Sequence, residues 1–205
     1  RTELDARVCD CCQTSAALTD NGPIVAYRDR SEGEIRDISI VRFADGKWHS
    51  PQTIGDDQWK IAGCPVNGPS IDAKNKNVAV AWFTAARGEG EVNVAFSNDA
   101  GLSFSQAYRI DTGNATGRVA VRMLDEKQAA VLWMQPKGQE EVIYLMKIDV
   151  LGEKGTPIII AETSSDRASG FPQLAQYRDD LIVAFTQIEE TQPKIVTVRV
   201  AIDAL

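Results

Sequence analysis

The sequence predicts an all-β chain: a β-propeller of four-stranded antiparallel blades, about four of them in 205 residues. Three observations predict it. An apolar strand closing on an aromatic recurs at Tyr27, Trp82, Trp133 and Phe185, at intervals of 55, 51 and 52 residues. Each copy is preceded by a polar turn, as at Asp20-Asn21-Gly22 and Lys74-Asn75-Lys76-Asn77. No stretch carries a sustained helical period. Repeated antiparallel units of about 50 residues are what propeller blades look like in sequence. A sandwich of evenly spaced strands is the alternative.

The blades are expected over residues 8–55, 56–111, 112–162 and 163–205, one partial propeller domain. First strands are read at Ser15–Thr19, Ser70–Ala73, Val119–Leu124 and Gln173–Gln176. The second strands are the aromatic-ended runs Ile24–Tyr27, Ala79–Trp82, Ala130–Trp133 and Ile182–Phe185. Third strands follow a polar loop, at Ile38–Phe43, Val92–Phe96, Val142–Ile148 and Ile195–Ala201, rich in Val and Ile. Fourth strands are expected at Trp48–Ile54, Gln106–Ile110 and Thr156–Ala161, with none in the last unit.

Composition narrows the function classes. The chain is 43% hydrophobic and 25% charged with a net charge of −7. That suits a packed core and, with basic residues scattered, excludes wholesale nucleic-acid binding. No apolar run approaches the ~18 residues of a membrane span. The chain begins at Arg1 without Met, which suggests a processed product or a piece of something longer. Three of the four cysteines crowd into Cys9-Asp10-Cys11-Cys12, which points to an oxidising compartment or a metal site. The expected location is periplasmic or extracellular.

The stretch from Ser97 to Phe104 reads as a hairpin turn. Asp99 can accept from its own backbone amides, and Gly101 makes a positive φ cheap. The pattern resembles the Asp-box, Ser-x-Asp-x-Gly-x-Thr-Trp, of sialidase-type propellers, with Ser103 and Phe104 in the Thr and Trp places. Further residues carry the resemblance: Cys9 to Thr14, Tyr27-Arg28-Asp29, Ile35 to Ile38, Trp59 to Pro65 and Gly68-Pro69. Together they look like a bacterial group of sialidase-like, Asp-box-repeat proteins. The likeness is strongest from Val8 to Phe104. It implies a six-bladed ring, so about two blades are expected upstream, with Arg1–Arg7 ending a preceding fourth strand. It also implies a catalytic set of three arginines, a Tyr nucleophile with its Glu, and an Asp acid/base. The Arg-Ile-Pro motif of that family is absent. Tyr27 holds the repeat's aromatic position and is read as core, so no catalytic residues are carried over.

Propeller geometry puts the connections into first strands and the loops between second and third strands on one face, with the Asp-box hairpins opposite. The ligand candidates on the first face are Arg28, Asp29, Arg30, Arg36 and Asp37 of unit one, then Trp59 and Asn67, then Arg118. Asp57, Arg87 and Arg167 lie on the same rim. Arginines there suit an acidic carbohydrate, which guanidinium grips bidentately. A structural network bracing the loop is the other reading, and a protein ligand the alternative partner. By the repeat, Cys9 and Cys64 are equivalent, so all four thiols should share this face. One disulfide from Cys11 or Cys12 to Cys64 is the leading reading. A zinc or copper(I) cluster and free thiols remain open, and no other cofactor is expected. The lone His49 is read as an exposed outer-strand residue.

Overall fold

The computed structural model describes residues 1–138, 140–163, 169–189 and 192–205. They form a β-propeller arc of antiparallel sheets. Blade one holds β1 (Ser15–Thr19), β2 (Gly22–Arg28), β3 (Ile38–Ala44), β4 (Lys47–Trp48) and β5 (Gln52–Ile54). Blade two holds β6 (Ser70–Lys74), β7 (Asn77–Thr84), β8 (Glu91–Ser97) and β9 (Tyr108–Arg109). Blade three holds β10 (Gly117–Met123), β11 (Gln128–Lys137), β12 (Glu140–Asp149) and β13 (Ile158–Thr163). Blade four has β14 (Gln173–Tyr177), β15 (Asp180–Glu189) and β16 (Gln192–Ala201), then a 3-10 turn at Ile202–Ala204.

Three expectations are corrected. The outer strand of blade one is two pieces, β4 and β5, each pairing with β3. Pro51 lies between them and has no N–H to donate to a ladder. Arg1–Arg7 is not a strand but irregular chain. His49 lies outside both pieces, half-buried, with its Nε2 buried and unpartnered.

The repeat is real at the level of register. Ala26 pairs with Ser15 as Ala81 pairs with Ser70. Tyr27 lies opposite Ser39, Trp82 opposite Asn93, Trp133 opposite Tyr144 and Phe185 opposite Val196. All four aromatics are buried. A middle strand is apolar on both faces because both are covered. In β7, Val78, Val80 and Trp82 pack toward blade one, while Ala79 and Ala81 pack toward blade three. In β11, Val131 and Trp133 face blade two, while Leu132 and Met134 face blade four. Trp82, Trp133 and Phe185 therefore each point back at the preceding blade. The Tyr27 hydroxyl donates to Asp5 Oδ2 at 2.5 Å, in the segment before β1.

Side chains rivet neighbouring inner strands. Ser15 Oγ accepts from the Ile71 N–H at 3.2 Å, and Ser70 Oγ accepts from Val121 at 3.1 Å. Asp72 accepts from the Met123 N–H at 2.8 Å. These bonds satisfy inner-strand amides that no ladder reaches.

On the opposite rim, the Ser97–Phe104 turn closes on itself. Asp99 Oδ1 accepts from the Ser103 N–H at 2.9 Å, Asp99 Oδ2 from the Ser103 hydroxyl at 2.6 Å, and Ser97 Oγ from the Gly101 N–H at 2.9 Å. Gly101 has φ +81°, and a Cβ there would meet Ile24 Cδ1 at 2.3 Å. Phe104 packs into the core between blades one and two. Blade three keeps a reduced version: Asp149 Oδ1 accepts from the Leu151 and Glu153 N–H groups, both at 2.9 Å.

Candidate functional site

The site begins with the four cysteines. Cys9 is held by its N–H, which donates to the Arg28 carbonyl at 2.9 Å. The chain then turns within three residues, bringing Cys11 and Cys12 back to it. Cys11 is disulfide-bonded to Cys64 of the connection into blade two, with a Cα–Cα distance of 6.0 Å. Of the two pairings left open by the sequence, the structure has this one. Cys9 and Cys12 are free, and Cys9 Sγ lies 3.5 Å from Cys11 Sγ and 3.3 Å from Cys12 Sγ. Burial, together with the hydrogen bond to Cys9, pushes the Cys12 thiol up to about 11.

Beside the disulfide, three guanidiniums converge on one carboxylate. Glu34 accepts from Arg30 NH2 at 3.0 Å, from Arg36 NH2 at 2.7 Å and from Arg7 NH2 at 3.0 Å. Charge-assisted bonds from Arg30 and then Arg36 hold the Glu34 carboxyl down at about 2. Glu34 sits at φ +61°, a left-handed conformation unusual for a residue with a Cβ. Arg36 reaches further with NH1, which donates to Cys9 Sγ at 3.1 Å. A cavity of about 440 Å³ opens here, lined by Asp10, Cys11, Arg30, Glu34, Arg36 and Cys64 among others.

The other predicted residues do different work. Arg28 is 1% exposed and fully engaged. It donates to the carbonyls of Asn67 at 2.7 Å, Arg36 at 2.5 Å and Phe83 at 2.6 Å, and lies 4.9 Å from the centre of the Trp59 ring. Asp37 accepts from the Gln58 and Trp59 N–H groups at 2.8 and 2.9 Å, which fixes the connection into blade two. Asn67 Oδ1 accepts from the Arg118 N–H at 2.8 Å, and its Nδ2 donates to the Thr116 carbonyl at 3.1 Å. Arg118 in turn donates to Ser169 Oγ and, at 2.8 Å, to the Gly170 carbonyl. These side chains are blade-to-blade fasteners. Asp29 braces the same loop, accepting from the Arg30 N–H at 2.6 Å and the Ser39 hydroxyl at 2.9 Å. Arg167 lies outside the described residues.

A second polar cluster lines a cavity of about 410 Å³ at the edge of blade two, with Asp56, Asp57, Arg87 and Arg109. Asp57 accepts from Trp82 Nε1 at 2.7 Å, and burial pushes its carboxyl up to about 6. A third cavity, about 310 Å³, lies between residues 1–5 and Cys9, Cys12, Tyr27 and Arg28. Burial and the neighbouring Asp5 push the Tyr27 phenol well above its ordinary value, so it stays neutral.

Sequence reading placed the cysteines and the loop but not the Glu34 clamp, because Arg7 meets Glu34 across 27 positions. The only signal was local: Arg30, Glu34 and Arg36 share one short loop.

No family model matches the chain, and no curated protein matches it. Solved structures do. A phage phi92 endosialidase is 12% identical, with a TM-score of 0.65 over 93% of this chain and 36% of that one. A Hadza microbial sialidase is 16% identical, with a TM-score of 0.58 over 90% and 43%. The Aleuria aurantia lectin, in complex with alpha-methyl-L-fucoside, is 16% identical, with a TM-score of 0.56 over 96% and 64%. These likenesses show the fold, that of sialidases and other propeller glycosidases. The chain spans 43% and 36% of the two sialidases.

Proposed function

We propose that this chain is a glycan-binding propeller unit whose acidic ligand docks at the rim of blade one. The observation that carries it is the convergence of Arg7, Arg30 and Arg36 on a single carboxylate beside the 440 Å³ cavity. Three guanidiniums at one point recognise a carboxylate or sulfate with direction as well as charge. Glu34 takes that role within the chain, so an acidic sugar would have to displace or share with it. The reading is supported by neighbours that are sialidases and a lectin bound to a fucoside. The Ser97–Phe104 turn supports the Asp-box branch, and the Cys11–Cys64 disulfide supports an extracytoplasmic setting. Tyr27, kept neutral, is assigned no nucleophilic role.

The test is a glycan array probed with the chain, alongside a fluorogenic sialoside assay. Binding to sialylated, uronate-bearing or sulfated glycans, weakened by Arg30→Ala and by salt, is expected. Binding to neutral glycans alone, or to none, would refute it.

A further inference from the structure

The disulfide uses two of the four sulfurs and leaves two pressed against it. Sγ atoms of Cys9, Cys11 and Cys12 all lie within 4.8 Å of one another. All three come from one short turn pinned by the Cys9–Arg28 backbone bond, so the triangle does not depend on folding together distant segments. Two guanidiniums surround it. Arg36 donates to Cys9 Sγ at 3.1 Å and is braced from behind by Glu34 at 2.7 Å. Arg28, buried, lies on the other side, lining the cavity that Cys9 and Cys12 share. Both arginines place positive charge beside the three sulfurs. Cys9 is 4% exposed, so a metal held there would be largely shielded from water.

We propose that reduction of the Cys11–Cys64 disulfide turns this cluster into a site for one monovalent soft metal ion, copper(I), held by Cys9, Cys11 and Cys12. The step balances as follows. A small-molecule dithiol gives two electrons and two protons to the Cys11–Cys64 bond and is itself oxidised to a disulfide. Two thiols result, at Cys11 and Cys64. Copper(I) then displaces the protons of Cys9, Cys11 and Cys12, which pass to solvent. Three thiolates and one monovalent cation carry −2, beside the buried guanidiniums of Arg28 and Arg36. Three thiolates suit copper(I), whereas a structural zinc asks for four ligands, and the sulfurs that lie within 4.8 Å of one another are those of Cys9, Cys11 and Cys12, without Cys64. This inference stands apart from the glycan reading, because it uses the thiols rather than the Glu34 clamp as ligands.

The experiment uses the full chain, reduced with a dithiol under nitrogen, desalted, and titrated with copper(I) against bicinchoninate as a coloured competitor. One copper per chain should leave the competitor, with an ultraviolet thiolate-to-copper charge-transfer band. Cys9→Ser and Cys12→Ser should each weaken binding by about 100-fold or more, beyond what loss of a supporting residue costs. Cys64→Ser, which spares the three sulfurs, should leave it unchanged. The unreduced chain should not compete. Alkylation mapping on the wild-type chain needs no folded variant: bound copper should protect Cys9, Cys11 and Cys12 from iodoacetamide while Cys64 reacts. The proposal fails if the reduced chain takes no copper, if the oxidised chain binds equally, if Cys64→Ser loses as much as Cys9→Ser, or if Cys64 is protected with the rest.

Discussion

Blades one and two, compared with blades three and four, show two ways of holding the same sheet in place. Blade three packs by apolar area. Its ten-residue strands β11 and β12 pair along their whole length and bury Leu132, Trp133, Met134 and Leu145 almost completely. At their rim, blades one and two add buried polar side chains, Arg28, Asp37 and Asn67, whose hydrogen bonds tie the loops together, although Arg36 Nε is buried without a partner. Arg28 serves three carbonyls, Asp37 two amides, and Asn67 both sides of a blade junction. Apolar packing is non-directional and tolerates small shifts. A directional network does not, and that suits a rim where loops must hold a shape for a ligand.

The contrast can be broken by mutation. Trp133→Ala should cost about 3–5 kcal/mol through lost burial and a cavity, with an unfolding midpoint that shifts equally at low and high salt. Arg28→Leu keeps the apolar bulk but orphans three carbonyls, for about 3 kcal/mol. It should also make the Trp59 region exchange its amide hydrogens faster while blade three stays protected. If both variants loosen the two halves alike, the division of labour is wrong.

A smaller effect reads the same contrast through pH. The Asp57 carboxyl titrates near 6 in the fold against an ordinary 3.8. The folded chain therefore holds that proton more tightly than the unfolded one. Its contribution is full below about pH 4 and is lost as pH rises through about 6. Asp57→Asn, which keeps an acceptor for Trp82, should gain about 1–2 kcal/mol at pH 7, allowing for partial exposure, and nothing at pH 4. Urea denaturation at the two pH values checks it; equal changes would contradict the assignment. Least of all, Asp99→Ala on the opposite rim should cost about 1 kcal/mol, comparable to losing a cap, and leave ligand binding untouched.

Much of this was legible in the sequence, for physical reasons that differ by residue. The four aromatics and the strands before them were readable because each strand must bury itself between two neighbours, which leaves an apolar run at a fixed interval. The disulfide partner was narrowed to two because the repeat makes Cys9 and Cys64 equivalent. What could not be read was which charges point inward. Arginine is mostly exposed, and nothing local distinguishes Arg28, which is buried, from Arg30, which is not. Only the carbonyls of Asn67 and Phe83, brought in from blade two, decide it. The break at Pro51 is legible only in hindsight of the ladder, because an outer strand can carry a residue without an N–H on its solvent side and still read as one run from Trp48 to Ile54.

The direct test of the rim is Glu34→Gln. The Glu34 carboxyl sits near 2 against an ordinary 4.5, so it stays ionised across the physiological range and its stabilising effect is lost only as pH falls toward 2. Removing its charge leaves Arg30 and Arg36 in the cavity wall, with Arg7 beside them, without their internal anion. Isothermal titration of the wild-type and Glu34→Gln chains with one acidic oligosaccharide chosen from the array should show about tenfold tighter binding by the variant. Equal or weaker binding by the variant would contradict the claim that Glu34 sits in the ligand's place.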